Sequence, residues 1–233
     1  MKKVFFILTV ILVCSALSAR AWSQEVSGAE VDTDVVCGNM EISPEVVFTT
    51  SYGKLAYDYG STTRALTSIG KRYGIVEKGL FAAGLATVGV NWEISVDTIS
   101  RIISEDNICV IPVKVDIFIG YEDPVIYVSK DLKPESCEYN VVLRHEQTHQ
   151  QINKLALDYF IPKLKAAVEQ ISKDVRPTEI QNLNQIDNAA ENISNEYVGH
   201  ISPLVEHFKK ELLSEHSKLD NPENYKHEGD ICK

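Results

Sequence analysis

Two long apolar stripes at helical spacing, separated by a single turn, constrain this chain more than any other feature. In the first, Tyr139, Val142, Leu143, Ile152, Leu155, Ala156, Tyr159, Leu164, Ala167, Val168 and Ile171 recur at helical spacing, which marks one buried face of a helix. In the second, Leu183, Ile186, Ala190, Ile193, Tyr197, Ile201, Leu204, Phe208 and Leu212 repeat the pattern. Residues 174–177 (Asp-Val-Arg-Pro) form the turn between them. Each stripe needs cover, and the nearest cover is the other helix, folded back as an antiparallel hairpin. Pro162 and Pro203 lack an N–H and crowd the preceding turn, so each predicts a kink.

Upstream the period changes to two. Residues 46–59 alternate at Leu55, Tyr57 and Tyr59, and residues 91–97 place Trp92, Ile94 and Val96 on one face. Residues 109–119 form the clearest strand, with Val113, Val115, Ile117 and Ile119 facing one way and Lys114 and Asp116 the other. Pro112 cannot donate to a ladder, so its end of that strand belongs at an edge or a bulge. Val125 to Val128 adds a short strand, and Ser61 or Thr62 caps a short helix carrying Ala65, Leu66 and Ile69, with Gly74 placed to end it. The expected fold is α+β: a small antiparallel sheet with a short helix, followed by the long helical hairpin. Residues 22–44 read as a flexible leader and 45–233 as a single domain. The tail from Asp220 is polar and reads as irregular as far as Cys232, and there is no internal repeat.

The amino terminus has a separate logic. Lys2 and Lys3 precede an apolar run from Val4 to Leu17, and Ala19-Arg20-Ala21 supplies a small-x-small cleavage site. That order predicts a secretory signal peptide over residues 1–21, and hence a secreted or periplasmic protein with no membrane span once it is cut. Cleavage would move the formal charge from −10 to −13, because Lys2, Lys3 and Arg20 leave and no acid goes with them. So acidic a chain repels phosphate backbones, which argues against a nucleic-acid partner. Cys37, Cys109, Cys137 and Cys232 remain, an even number that suits disulfides in an oxidising compartment. The expected pairs are Cys109 with Cys137 and Cys37 with Cys232.

The first helix carries Arg144-His145-Glu146-Gln147-Thr148-His149, an H-E-x-x-H motif. Residues four apart lie one turn apart on the same face, so both imidazoles can reach one zinc ion. Glu146 follows the first histidine and flanks the ion without occupying a coordination site, where it can act as general base toward an activated water molecule. The contrary reading is a pair of surface histidines on a solvated helix. A catalytic zinc needs a third protein ligand. Leu155 stands where the longer H-E-x-x-H-x-x-G-x-x-H pattern carries a histidine, and Glu169 would lie about 30 Å along a continuous helix. The return helix offers His200, His207 and His216; folding the hairpin near Val175 sets His200 level with His149 and His207 near His145. Tyr139, Tyr197 and Tyr225 are candidates to stabilise an oxyanion, with no spacing to select among them. Asn192-Ile193-Ser194 matches a glycosylation sequon but falls in the middle of a helix, and reads as coincidence.

Over roughly residues 46–217 the chain resembles the bacterial predicted secreted zinc-dependent proteases, a domain-of-unknown-function family. The resemblance rests on Trp92 in a strand, Cys109-Val110 opening the next strand, and the segment from Arg144 to Ile152. A final pattern like Y-D-x-x-T-x-H-G is represented here by Glu211, Ser214 and His216, while Lys210 and Ser217 depart from it. The resemblance implies a zinc-dependent hydrolase of peptides or proteins with Glu146 as base and His145, His149 and His216 as ligands; His207, His200 and Glu211 stay open as rivals for the third place. The other class of function is a non-catalytic periplasmic metal-binding or adaptor module built on the hairpin. The oligomeric state is not legible.

Overall fold

The computed structural model describes residues 4–5, 8–10, 37–40, 42–73, 76 and 80–233. The expected signal peptide and leader thus lie largely outside the described residues. Within the former are two short strands, β1 (Val4–Phe5) and β2 (Leu8–Val10). There follow β3 (Glu45–Ser51), β4 (Ala56–Asp58), α1 (Thr63–Arg72), β5 (Phe81–Ala82), β6 (Gly84–Val88), β7 (Val90–Ser104), β8 (Asn107–Tyr121) and β9 (Val125–Val128). The second half holds α2 (Cys137–Asp174), β10 (Thr178–Ile180), α3 (Ile186–Leu219) and α4 (Pro222–Asp230). The class is α+β with a long helical hairpin, as the periodicities imply.

Alternation makes β7 and β8 the longest strands, and they pair antiparallel along nearly their full length. The register slips between Asp97 and Thr98, which face Lys114 and Pro112, so Val113 is the extra residue of a bulge. This is the accommodation that Pro112 requires. The other edge of β8 is shared: β10 runs antiparallel beside Ile108–Val110, and β3 runs parallel beside residues 114–120. A second sheet has the order β2-β6-β9-β4, with β4 parallel to β9. The sheets are therefore mixed rather than purely antiparallel. The single strand expected over residues 46–59 is two, because Gly53 turns the chain at φ 67°. A side chain there would meet the carbonyl oxygens of Glu122 and Tyr121 at 2.7 and 2.9 Å, so only glycine serves.

Ser136 caps α2 by accepting from the Tyr139 N–H, and Thr62 caps α1 in the same way from Ala65. Helix α2 continues through Pro162 and α3 through Pro203. The carboxy-terminal part of α2 and most of α3 lie on the β7–β8 sheet. There Leu157, Leu164 and Val168 meet Ile193, Tyr197, Ile201, Val205 and Leu212 over Ile94, Val96, Val115 and Ile117, all buried. Phe160 and Phe208 stack across the hairpin at 4.5 Å. The first turns of α2 lie instead on the second sheet, where Val141 and Val142 pack with Ala83, Ala86, Ile126 and Val128. One helix thus bridges both sheets, with the H-E-x-x-H segment at the crossing.

The disulfides connect differently from the expectation. Cys37 lies at disulfide distance from Cys109, and Cys137 from Cys232, with Cα separations of 5.5 and 5.6 Å. Cys109 lies within β8, flanked by Arg101 of β7 and Glu179 of β10, far along the fold from the first turn of α2. The tail is also not irregular, because Asn221 accepts from the N–H groups of Glu223 and Asn224 and starts α4, with Pro222 in its first turn. Among the described residues no helix is long and apolar enough to cross a membrane.

Leu157 has no solvent exposure, whereas Leu155 two residues earlier is 69% exposed. Leu157→Ala should lower unfolding free energy by about 2–5 kcal/mol through loss of packing and the cavity left behind, and Leu155→Ala by less than about 0.5 kcal/mol. Urea denaturation of the two variants checks the contrast.

Candidate metal centre

His145 and His149 are 1% and 0% exposed, which removes the reading of two surface histidines. Their Nε2 atoms lie 3.1 Å apart. The third corner is the carboxylate of Asp220, with Oδ1 at 3.1 Å from His145 Nε2 and 3.2 Å from His149 Nε2. Three donors on a tetrahedral ion with bonds of ~2.0–2.1 Å stand about 3.3–3.4 Å apart. The triangle is within a few tenths of an ångström of that spacing, and this group could hold a metal ion.

Asp220 reaches the site because it ends α3, its N–H bonded to the His216 carbonyl, and the chain then turns sharply into α4. Two α4 residues on one face complete the surroundings. The carboxylate of Glu228 lies 3.0 Å from His145 Nδ1, the arrangement that orients a metal-binding imidazole and raises its basicity. Tyr225 donates to Asp220 Oδ1 at 2.6 Å and stacks on the His145 ring at 5.6 Å. The Cys137–Cys232 bridge ties the end of α4 to the start of α2, two turns before His145.

Glu146 faces away from α4, toward β6, and has no exposure. No side chain pairs with its carboxylate oxygens, and the one group that favours the charged form besides His145 is the backbone of Ala86 on β6. A Cβ on Gly84 would collide with Glu146 Oε1 and come within 2.7 Å of Val142 Cγ1. Glycine at 84 is what lets β6 pass this closely over the carboxylate.

The site's electrostatics follow from burial and crowding. Burial lowers the pKa of His145, but hydrogen bonds to Asp220 and Glu228 outweigh it and raise the value to about 9. Burial pushes Glu146 well above the carboxylate range, opposed by His145 and reinforced by Asp220 and Glu228. Burial lowers His149 despite Asp220. Asp220 is itself lowered, because His145, His149 and the Tyr225 hydroxyl together overcome the cost of its burial.

The structure places the other sequence candidates away from the triangle. His216 is buried in the last turn of α3, but its Nδ1 lies 3.0 Å from His149 Nδ1, on the ring edge opposite the Nε2 corner. It stands behind His149 and is not a corner of the triangle. His200, His207 and Glu211 are exposed on the hairpin. Tyr139 packs beside Tyr59, and Tyr197 is in the hairpin core; of the three tyrosines weighed, Tyr225 stands at the centre. Asp220 and Glu228 were missed by reading the tail as irregular. Asn221-Pro222, a cap followed by a first-turn proline, was the available signal for a helix there.

No protein-family model, curated protein or solved structure matches this chain. What the centre can do follows from its geometry.

Two outcomes are expected. A zinc ion must displace the proton that His145 holds below about pH 9, whereas Asp220 is already ionised and His149 already neutral. Affinity should therefore weaken by about tenfold per pH unit as pH falls from 8 to 6, as measured by chelator competition. Gly84→Ala overfills the space between β6 and α2, and should cost about 1–3 kcal/mol of stability in denaturant titration.

Proposed function

We propose that the chain is an exported zinc-dependent peptidase whose centre is formed by His145, His149 and Asp220, with Glu146 as general base. One observation carries this reading: a triangle of two imidazoles and one carboxylate at ligand spacing, with a fully buried carboxylate beside it that no side chain pairs. A structural metal site needs the triangle alone. The second carboxylate has no use in packing, and its burial opposes stability.

A bound zinc ion supplies Lewis acidity, polarising a carbonyl and acidifying water. With the charge of an ion beside it, Glu146 would be ionised in its dry pocket, and would take the proton of the attacking water and deliver it to the departing amine nitrogen. Glu228 holds His145 with its Nε2 turned inward. Burial and the neighbouring Asp220 raise the Tyr225 pKa, so the phenol keeps its proton, and by turning its single hydrogen from Asp220 it can donate to an oxyanion forming alongside.

Extended backbone already lies along the strand nearest Glu146, which supports a peptide as the substrate. β2 pairs with the outer edge of β6, with Leu8 opposite Ala86 and Val10 opposite Val88. Cleavage after Ala21 would take β2 away and leave that edge open to an incoming strand. The two disulfides fit the oxidising compartment to which such a signal leads.

Purified protein should contain one zinc per chain and hydrolyse casein-type or peptide-library substrates. Glu146→Gln should keep the zinc and lose about 10²–10⁴-fold in turnover, while Asp220→Ala should lose the zinc and His200→Ala and His207→Ala should change neither. Stoichiometric zinc without Glu146-dependent hydrolysis would leave the metal-binding or adaptor module as the reading. Absence of zinc from the wild type would remove both.

A further inference from the structure

Two buried side chains next to the centre, Asn153 and His216, take no part in the chemistry above. Both are 1% exposed. Such groups are retained at a cost in desolvation and call for a role. They form a single file leading to a ligand. Asn153 Nδ2 donates to Gln150 Oε1 at 3.0 Å, Asn153 Oδ1 lies 2.8 Å from His216 Nε2, and His216 Nδ1 lies 3.0 Å from His149 Nδ1. The Tyr121 hydroxyl anchors the file by donating to the Asn153 carbonyl at 2.7 Å.

The direction of each bond follows from the way the Asn153 amide is turned, with its oxygen toward His216 and its nitrogen toward Gln150. An amide oxygen can only accept, so His216 Nε2 must carry a hydrogen. His216 is 1% exposed and faces a second imidazole at 3.0 Å, with a neutral amide on its other side, so nothing beside its ring nitrogens stabilises a positive charge and the ring is neutral. A neutral imidazole carries one hydrogen, so His216 Nδ1 presents a lone pair, which can only be met by a hydrogen on His149 Nδ1. That leaves the lone pair of His149 on Nε2, the atom at the corner of the triangle. A ring with the opposite tautomer would point an N–H at the ion and could not bind it.

We propose that Asn153 and His216 form a directional hydrogen-bond relay that fixes the tautomer of His149 and so presents its Nε2 lone pair to the metal. The proposal rests on the metal-centre reading. It makes His216 a positioning residue acting through His149 and assigns to Asn153 a role that no spacing in the sequence suggests. The two imidazole ligands are then oriented by different devices: His145 by a carboxylate, His149 by a neutral chain. A neutral chain sets the tautomer without placing a further negative charge among Glu146, Asp220 and Glu228.

The test has two readouts. In metal-free wild-type protein at neutral pH, ¹⁵N imidazole NMR should show hydrogen on Nε2 of His216 and on Nδ1 of His149; hydrogen on Nε2 of His149 would overturn the relay. In chelator competition, Asn153→Leu and His216→Phe should each weaken zinc binding by about 10–100-fold. His216→Gln should stay closer to wild type than His216→Phe, because its neutral amide can donate to Asn153 Oδ1 and accept from His149 Nδ1. Equal loss in His216→Gln and His216→Phe would mean that His216 only fills space, and would contradict the proposal. A wild type that takes up no zinc would refute the metal centre itself; the tautomers of the metal-free protein judge the relay separately.

Discussion

Much of this structure depends on how one crowded set of acids and bases is satisfied out of water. Glu146, Asp220 and Glu228 bring three carboxylates to the side chains of His145 and His149, and His145, Glu146 and His149 are all but fully buried. Leaving such charges unpaired in the interior costs several kcal/mol each. Without an ion, the set is balanced by protons, which is why His145 is driven up and Asp220 down. A divalent cation in the triangle would satisfy the same groups together. Among the described residues the fold thus gathers its buried histidines and its fully buried carboxylate in one place, where a positive charge of the right size would balance them.

Two parts of the scaffold make the convergence possible. The first is α2, which spans both sheets and carries the histidines where it crosses from one to the other. Packing on two sides fixes the rotation of the helix, so that Glu146 faces β6 while His145 and His149 face the returning chain. The second is the end of the chain. A nine-residue helix is marginal in isolation, yet α4 supplies both Tyr225 and Glu228 to the site. It is held by its Asn221 cap, by Tyr225 packing among Val141 and Val142, and by the Cys137–Cys232 bridge. The bridge closes 95 residues of sequence and secures the element that carries the second carboxylate.

Features that depend on near neighbours were legible in the sequence. The H-E-x-x-H pair, the Thr62 cap, the Val125–Val128 strand and the bulge opposite Pro112 each follow from residues a few places apart. Features set by long-range pairing were not. The parallel alignment of β3 with β8 leaves no local mark, because alternation looks the same in either direction. The level at which α3 crosses α2 was misjudged for a definite reason. The chain leaves α2 at Val175, then forms β10 along β8, and begins α3 only at Ile186. The return helix is therefore displaced along the hairpin, and His216 rather than His200 arrives at His149. Asp220 follows one turn later at the third corner of the triangle. His216 lies behind His149 rather than at a corner.

The central claim is the identity of the three ligands. X-ray absorption spectroscopy at the zinc edge of the metal-loaded wild-type protein tests it most directly, because multiple scattering counts imidazole rings. The account predicts two imidazoles with the remaining donors oxygen, at ~2.0–2.1 Å. Three imidazoles would put His216 on the metal in place of Asp220 and contradict it, and so would a sulfur donor or a spectrum unchanged by Asp220→Ala.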